Sequence, residues 1–554
     1  MGLGWAVGIV SAPAALLAIG GLTTARWANR HVRAVAVASR LAAAWALLVA
    51  LATAWIVARQ GTIDVALAEV GSRLTVSFGV YCDSLSATMM LLIGFIGLII
   101  TTYSHRYLDG DPGQGRFYQW LSFTLGAVLL LVVSRNLVMF TGAWIATSLG
   151  LHQLLTHFAT RTEAVWAARQ KFIISRLGDL MLLAALVLTY RHFGSFEFGY
   201  LLNEATRLAS SSAESASSIG TIGALFVLGA MTKSAQFPFH AWLPETMETP
   251  TPVSALMHAG IINAGGFLVL RLSPLVSLSH AALDALAVVG GFTAVYAAIV
   301  MSTQTSIKRQ LAYSTVAQMG FMMLQCGLGA FSAALLHIIA HSLYKSYAFL
   351  TCGSVIDASR GWQVDKQNLS TAPRSSSSLL LALVASGSLT VLSAWIWGVP
   401  VTSKPGAAIL ISILTLAVTQ LLWTAGLSGR SAMWGRSLFA AAVICVTYFG
   451  VYRAIDTWLS TSVSHTTVAV TWFDQLIMGA VGLAFLTLFA AQSRLTTLSQ
   501  TTWARQLYLH ASAGFHWDIV WRRWTERIWP WISHLLPSGH DFTVRPVQPA
   551  PQNG

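Results

Sequence analysis

Two groups of ionisable residues stand in apolar sequence that would otherwise hold none. In ALLHIIAHSLYKSYAFL, His337, His341 and Lys345 recur at i, i+4 and i+8 and stack along one helical face. Neutral imidazole can pass a proton between its two nitrogens and titrates near neutrality. Desolvation favours the uncharged form of a lysine. Such a row can hold and release protons near neutral pH. The rival reading is a metal pair, His337 with His341, but no third Cys, Asp or Glu ligand accompanies them within the helix.

The second group surrounds Lys233 in LFVLGAMTKSAQFPFHAWLPETMETPTP. Apolar or small residues precede Lys233, and Pro238 follows, so the helix is expected to break near the lysine. A break inside a membrane is tolerated only where protein or a wet cavity surrounds it. His258 opens the next apolar segment; alone it reads more readily as a hydrogen-bonded core histidine. Asp179 lies in KFIISRLGDLMLLAAL with Arg176 three residues before it. The two can form a local i, i+3 ion pair, or Asp179 can be the counter-charge of Lys233, and the sequence leaves both open. Lys404, in WGVPVTSKPGAAIL between Pro400 and Pro405, reads equally as a loop lysine or a functional one.

These groups need a scaffold, and composition supplies its class. The chain has 554 residues, 10% charged and 55% hydrophobic, with a mean hydropathy of +0.64. Soluble domains carry about 25% charged residues, so a soluble enzyme, a disordered chain and a disulfide scaffold are excluded. Cys82, Cys326, Cys352 and Cys445 form no C-x-x-C pair and read as small buried hydrophobes. Continuous apolar runs of about 20 residues predict an all-α polytopic membrane protein. About fifteen spans are expected, near 3–21, 38–58, 80–103, 117–134, 136–158, 171–190, 219–240, 253–272, 279–300, 308–328, 332–356, 376–399, 406–427, 435–452 and 473–491. Leu3–Ile19 lacks a basic stretch before it and reads as a retained span.

Loop charges set the direction. One face receives Arg26, Arg30, Arg33 and Arg40, Arg106 and Arg116, Arg161, Arg169 and Lys171, Lys308 and Arg309, Arg360, Lys366 and Arg374, Arg430 and Arg436, and the arginines of the tail. The other has a thinner set that includes Arg135 and Arg271. The N-terminus is therefore expected outside and the C-terminus in the cytoplasm. The net charge of +13 is explained by this orientation rather than by nucleic acid. The polar run Ser210–Ser218 reads as a flexible external connection. The tail from about 505 interleaves Trp517, Trp521, Trp524, Trp529 and Trp531 with Arg522, Arg523 and Arg527. It is expected to be an amphipathic segment lying on the membrane, or a docking surface for a cytoplasmic partner. No catalytic zinc set, nucleotide-binding glycine loop, flavin signature or quinone signature is present. The chain therefore reads as a transport subunit without a cofactor of its own.

The motif TKSAQFPFHAWLPETMETPTPVSALMHAG resembles the signature of the antiporter-like proton-conducting subunits, among them the L-type subunit of respiratory complex I and the A-type subunit of Mrp cation antiporters. CDSLSATMMLL, TYSHRYL, KRQLAYSTVAQMGFMM and ALLHIIAHSLYKSYAFLTCGSVI extend the likeness over roughly 75–495. The resemblance implies two inverted five-helix repeats with broken helices. It divides the chain into N-terminal helices (1–75), a first half-channel (76–275), connecting helices with a second half-channel (276–495) and the tail (496–554). By the same resemblance Lys233 is the central lysine of the first half-channel, and His258 is the histidine of the following helix. His337, His341 and Lys345 are the connecting relay. Lys404 is the exit lysine, with Pro405 where the family has Asp.

Two departures point to a narrower group. Ile145 in GAWIATSLGLHQLL stands where the family pairs a Glu with the central lysine. His152, two turns further on the same face, or Asp179, which keeps its family position, is expected to take over. The residues after the last span are also too few for the long lateral helix of the complex I subunit. LGLHQLLTHFATRTEAVWAARQKFIISRLGD and RQLYLHASAGFHWDIV resemble the DabB family, membrane subunits of bacterial inorganic-carbon accumulation complexes. That resemblance implies a bacterial inner-membrane location. Its partner would be DabA, a zinc protein resembling a β-carbonic anhydrase, on the cytoplasmic side. The partner would hydrate CO2 to bicarbonate while H+ or Na+ runs down its gradient through this chain. The alternatives are a pump module of a complex I-like assembly and an Mrp-type cation/proton antiporter.

Overall fold

The computed structural model describes residues 2–70, 76–210, 217–354, 376–399, 405–426, 431–464, 471–494 and 501–533. Lys404, most of the Ser210–Ser218 run and the loop arginines and lysine at 360, 366, 374 and 430 lie outside the described residues.

The chain opens with α1 (Gly2–Leu22), α2 (Ala25–Arg30) and α3 (Val32–Gln60). An antiparallel hairpin follows, β1 (Ile63–Val70) and β2 (Val76–Cys82), with Ile63 opposite Cys82. Next come α4 (Ser84–Tyr107), α5 (Gln114–Val133), α6 (Leu137–Leu155), α7 (Thr162–Phe193), α8 (Phe198–Ser210) and α9 (Ser217–Lys233). After an irregular stretch come α10 (Thr251–Ala259), α11 (Ala264–Arg271), α12 (Ser273–Val276), α13 (His280–Thr303), α14 (Ile307–Gly327) and α15 (Phe331–Thr351). The last group is α16 (Ser376–Ile396), α17 (Pro405–Gly426), α18 (Ser431–Trp458), α19 (Trp472–Ser493), α20 (Thr502–Ser512) and α21 (Trp517–Ser533).

Polar residues at the helix starts fix these boundaries. Asp83 accepts from the Ser86 amide at α4, and Asn136 from the Met139 amide at α6, each at 2.9 Å. These contacts satisfy amide groups that a helix leaves unpaired in its first turn. Within the bundle, α13 and α14 approach through small residues. A Cβ on Gly290 would sit 2.5 Å from the Leu324 nitrogen and 2.7 Å from the Gly320 oxygen. In lipid, where helix association gains little from apolar burial, backbone proximity of this kind holds helices together. Of the most apolar stretch of α10–α11, 94% is buried within the protein, against 17% for α18 and α19. Trp395, Phe439 and Trp472 are more than two-thirds exposed and form an apolar outer surface suited to lipid.

Among the described residues, twelve helices are long and apolar enough to cross a membrane. The expected spans 219–240, 308–328 and 332–356 fall on α9, α14 and α15. The first is only 17 residues long, and polar side chains dilute the other two. The architecture is helical apart from the β1–β2 hairpin among the described residues, and the start of span 80–103 is corrected, since residues 80–82 belong to strand β2 and the helix begins at Ser84. The hairpin is tied to the starts of α6 and α8 by Arg135, which pairs with Asp64 at 2.6 Å and Glu197 at 2.7 Å.

The loop-charge ledger changes too. Arg271 is buried, with paired bonds of 2.7 and 3.0 Å to Asp83 and a third to Ser86. Lys171 is buried within α7. Neither is a loop charge.

Candidate functional site

The helix carrying Lys233 ends at the lysine, as the proline pattern requires. Ala235 then adopts φ 49°, a left-handed conformation strained for a residue with a Cβ. Residues 234–245 run as turns up to a short 3-10 turn at Thr246–Glu248, and span 219–240 is thereby shortened at its end. A second interruption, Ile261–Asn263, separates α10 from α11. The two interruptions touch, since the Ser234 hydroxyl donates to the Ile262 carbonyl at 2.7 Å.

Around Lys233 the fold gathers α6, α7 and α9. Lys233 Nζ donates to the Trp144 carbonyl at 3.2 Å and lies 4.5 Å from the centre of the Trp144 ring. The lysine is thus received by the backbone oxygen that precedes Ile145. Asp179 is buried, with an Arg176 nitrogen 2.8 Å from one of its oxygens. It also interacts electrostatically with Lys233 and Lys171. Asp179 thus pairs locally with Arg176 and lies within the electrostatic field of Lys233. Lys171 Nζ donates to the Ser148 hydroxyl at 2.8 Å and to the Ser148 carbonyl. His152 is buried on α6, its ring edge-on to Phe172 at 5.4 Å. The one hydrogen bond of Lys233 among the described residues goes to Trp144.

The second cluster gathers α10, α14 and α15. His258 Nδ1 bonds Thr315 Oγ1 at 3.0 Å, and the His258 ring stacks on Phe349 at 4.4 Å. Thr315 donates to the Leu311 carbonyl at 3.1 Å, and Lys345 Nζ donates to the same carbonyl at 2.9 Å. His341 reaches the main chain of His258 and stacks with His337, ring centres 6.0 Å apart. The Nε2 atoms of His258, His337 and His341 are buried without a protein hydrogen-bond partner. Asn263, in the second interruption, donates to Ser342 Oγ at 2.7 Å. The structure thus assembles His258, His337, His341 and Lys345, and the contacting interruptions join them to the Lys233 cluster. Among the described residues no group of three or more His, Cys, Asp or Glu is placed to hold a metal.

Residues 134–372 match the family described as NADH:quinone oxidoreductase/Mrp antiporter, TM, and residues 68–118 match NADH-Ubiquinone oxidoreductase (complex I), chain 5 N-terminus. The "Probable inorganic carbon transporter subunit DabB2" of Halothiobacillus neapolitanus is 37% identical over 88% of this chain and 87% of its own length. The chain belongs to the DabB family. The "Probable inorganic carbon transporter subunit DabB" of Hydrogenovibrio crunogenus is 34% identical over 81% of this chain and 83% of its own. A chain of the Mrp complex of Dietzia sp. shares the fold, with a TM-score of 0.61 and 23% identity over 96% of this chain and 60% of that one. This DabB-family chain is thus an antiporter-like, multi-pass integral membrane subunit.

Two residues of the clusters escaped the sequence reading. Lys171 follows Arg169 at the edge of an apolar run, so hydropathy assigns it to the loop. Its one signal is helical spacing, since it precedes Asp179 by two turns on the same face. Thr315 carries no charge to draw attention, and only its bond to His258 reveals it.

Proposed function

We propose that this chain is the ion-conducting subunit, for H+, that couples a cation gradient to energised CO2 hydration and bicarbonate accumulation by a carbonic-anhydrase-like zinc partner of the DabA type. The observation that carries the reading is the pair of buried lysines, Lys233 and Lys345. Each is bonded to a main-chain carbonyl, and contacting helix interruptions join their surroundings. Main-chain carbonyls can receive a charged or a neutral amine, so both protonation states are accommodated. Protons would move through Lys233, His258, His341, His337 and Lys345 and leave by Lys404, with Asp179 or His152 balancing the Lys233 charge. One charge crossing 100 mV releases about 2.3 kcal/mol, and a few suffice to make hydration one-way.

In this reading α9, α14 and α15 also cross the membrane, giving fifteen spans in two inverted repeats. The protein sits in the bacterial inner membrane with its N-terminus outside, and the cytoplasmic tail receives the partner. The match to the Mrp and complex I families supports an alternative, a cation/proton antiporter or pump module.

Co-expression with the zinc partner should restore growth in air to a carbonic-anhydrase-deficient bacterium, and Lys233→Ala should abolish that rescue. Rescue by the alanine variant would remove the lysine from the mechanism. Co-purification with redox subunits, or with several small membrane subunits, would favour the alternative.

A further inference from the structure

The tail does more than lie beside the bundle. Trp517 and Trp521 of α21 both donate their indole N–H to the carbonyl of Pro238, at 2.9 and 2.7 Å. Pro238 stands in the interrupted stretch immediately beyond Lys233. The Trp517 ring lies 5.0 Å from Phe237, and the Trp521 ring 6.2 Å from Phe239. From the opposite side α13 closes on the same residues: Thr293 accepts from the Phe237 amide at 3.0 Å, and Tyr296 bonds His240 Nε2 at 3.2 Å. The Tyr296 hydroxyl also donates to the Gly514 carbonyl at 2.8 Å, in the turn that joins α20 to α21. That turn holds Gly514, Phe515 and His516 at positive φ, so two non-glycine residues are strained there. At its far end α21 meets α7, where buried Trp529 lies edge-on to Phe172, the residue against His152. Asp518 reaches Arg309 at 3.2 Å and Tyr313 at 3.3 Å on α14.

We propose that α20–α21 is a strap that holds the Lys233 site in its conducting shape, with Trp517 and Trp521 as its positioning residues. One helix touches both the interrupted stretch that follows Lys233 and the helix that carries Lys171, Arg176 and Asp179. A displacement of the strap therefore changes the spacing between the central lysine and its acid. A partner bound to the tail gains through it a mechanical route to the gate. The claim rests on Lys233 lying in the ion path.

The test is a pair of conservative variants, Trp517→Phe and Trp521→Phe, singly and together, in the full chain reconstituted in liposomes. Phenylalanine keeps an aromatic ring but removes the N–H together with the five-membered half of the indole, so the single variants also serve as the control for lost packing. Because both indoles serve one oxygen, each single variant should change little. The double variant leaves the half-buried Pro238 carbonyl without either indole donor, and hydrogen exchange over 234–245 should then rise about tenfold. Ion flux should fall by a similar factor while the size-exclusion profile stays that of the parent. Unchanged exchange in the double variant overturns the strap, and so does raised exchange with undiminished flux. Lys233→Ala separates the two claims: it should remove flux and leave exchange over 234–245 as it was. Flux that survives Lys233→Ala refutes the ion path itself, while the exchange result on the tryptophans still decides whether the strap holds the segment.

Discussion

The two buried clusters answer the same problem with different chemistry. Each holds a lysine whose ammonium bonds a main-chain carbonyl on a neighbouring helix, Lys233 to Trp144 and Lys345 to Leu311. Around Lys233 stand Lys171, Arg176 and a carboxylate, Asp179. Around Lys345 stand three histidines and a threonine, and among the described residues no carboxylate pairs with it. The first cluster sets one acid among several cations. The second has neutral groups that can take or give a proton but nothing to balance a standing charge. Under the proposed function the difference would divide the work: the Lys233 cluster would store charge, and the Lys345 cluster would pass it on.

A third buried charge sets the scale. Arg271 is bidentate to Asp83, bonded to Ser86 and enclosed by the rings of Tyr81, Phe198 and Phe267. Both terminal guanidinium nitrogens have fixed partners, so this pair reads as structural. Arg271→Met leaves Asp83 a buried charge with only the Ser86 amide as partner, and should cost about 3–5 kcal/mol of stability. The loss would be seen as early melting in detergent, whereas conservative changes in the two clusters should leave melting near that of the parent. Next in size is His341→Gln. If the histidines relay protons, a side chain that cannot exchange them should lower flux about a hundredfold, measured as pH-gradient decay in proteoliposomes. A change under twofold would make the row a packing feature.

How far the sequence went follows from the range of each interaction. His337, His341 and Lys345 were legible because one helix sets their spacing, and Lys233 because Pro238 lies close behind it. Twelve spans were legible from hydropathy alone. The interactions that join distant segments were not. Arg271 and Asp83 are 188 residues apart, and Trp521 and Pro238 are 283 apart, so no periodicity links them. A hydropathy window also blends the hairpin into its neighbours, because β2 runs directly into α4. The break after Lys233 could be placed, but the contact of Ser234 with the second break depends on packing between helices.

A smaller effect tests the acid. Asp179→Asn removes the one carboxylate among the described residues that faces Lys233. An opposite charge in the same site favours the charged form of a lysine by about tenfold or somewhat more, so flux should fall by a similar factor. Ile145→Glu restores an acid next to Trp144, and in the Asp179→Asn background it should recover most of the flux. His152→Ala alone is the discriminating control. If it lowers flux while Asp179→Asn does not, the histidine is the partner and the contrast between an acid-bearing and an acid-free cluster fails.

The smallest expected effect concerns the strap, and its sign can be worked out. Asp518 sits outside the spans, and its carboxyl is pushed from an ordinary 3.8 up to about 7, by burial first and then by Glu245, against the opposing pull of Arg309 and Tyr313. Tyr296 is the other titratable group within its field. A detached tail would return the carboxyl to its ordinary range. The docked state therefore binds the proton more tightly, and docking is strongest at low pH. It weakens as pH rises through the interval from about 4 to about 7 and is level above that. Hydrogen exchange over 234–245, corrected for the intrinsic pH dependence of the amides, should rise a few-fold between pH 5 and pH 7 in the parent. In Asp518→Asn, which mimics the protonated acid, the corrected exchange should be flat across the same interval. A parent profile that is already flat would mean that Asp518 holds α14 without sensing protons. The pH response of the subunit would then belong to the two buried clusters alone.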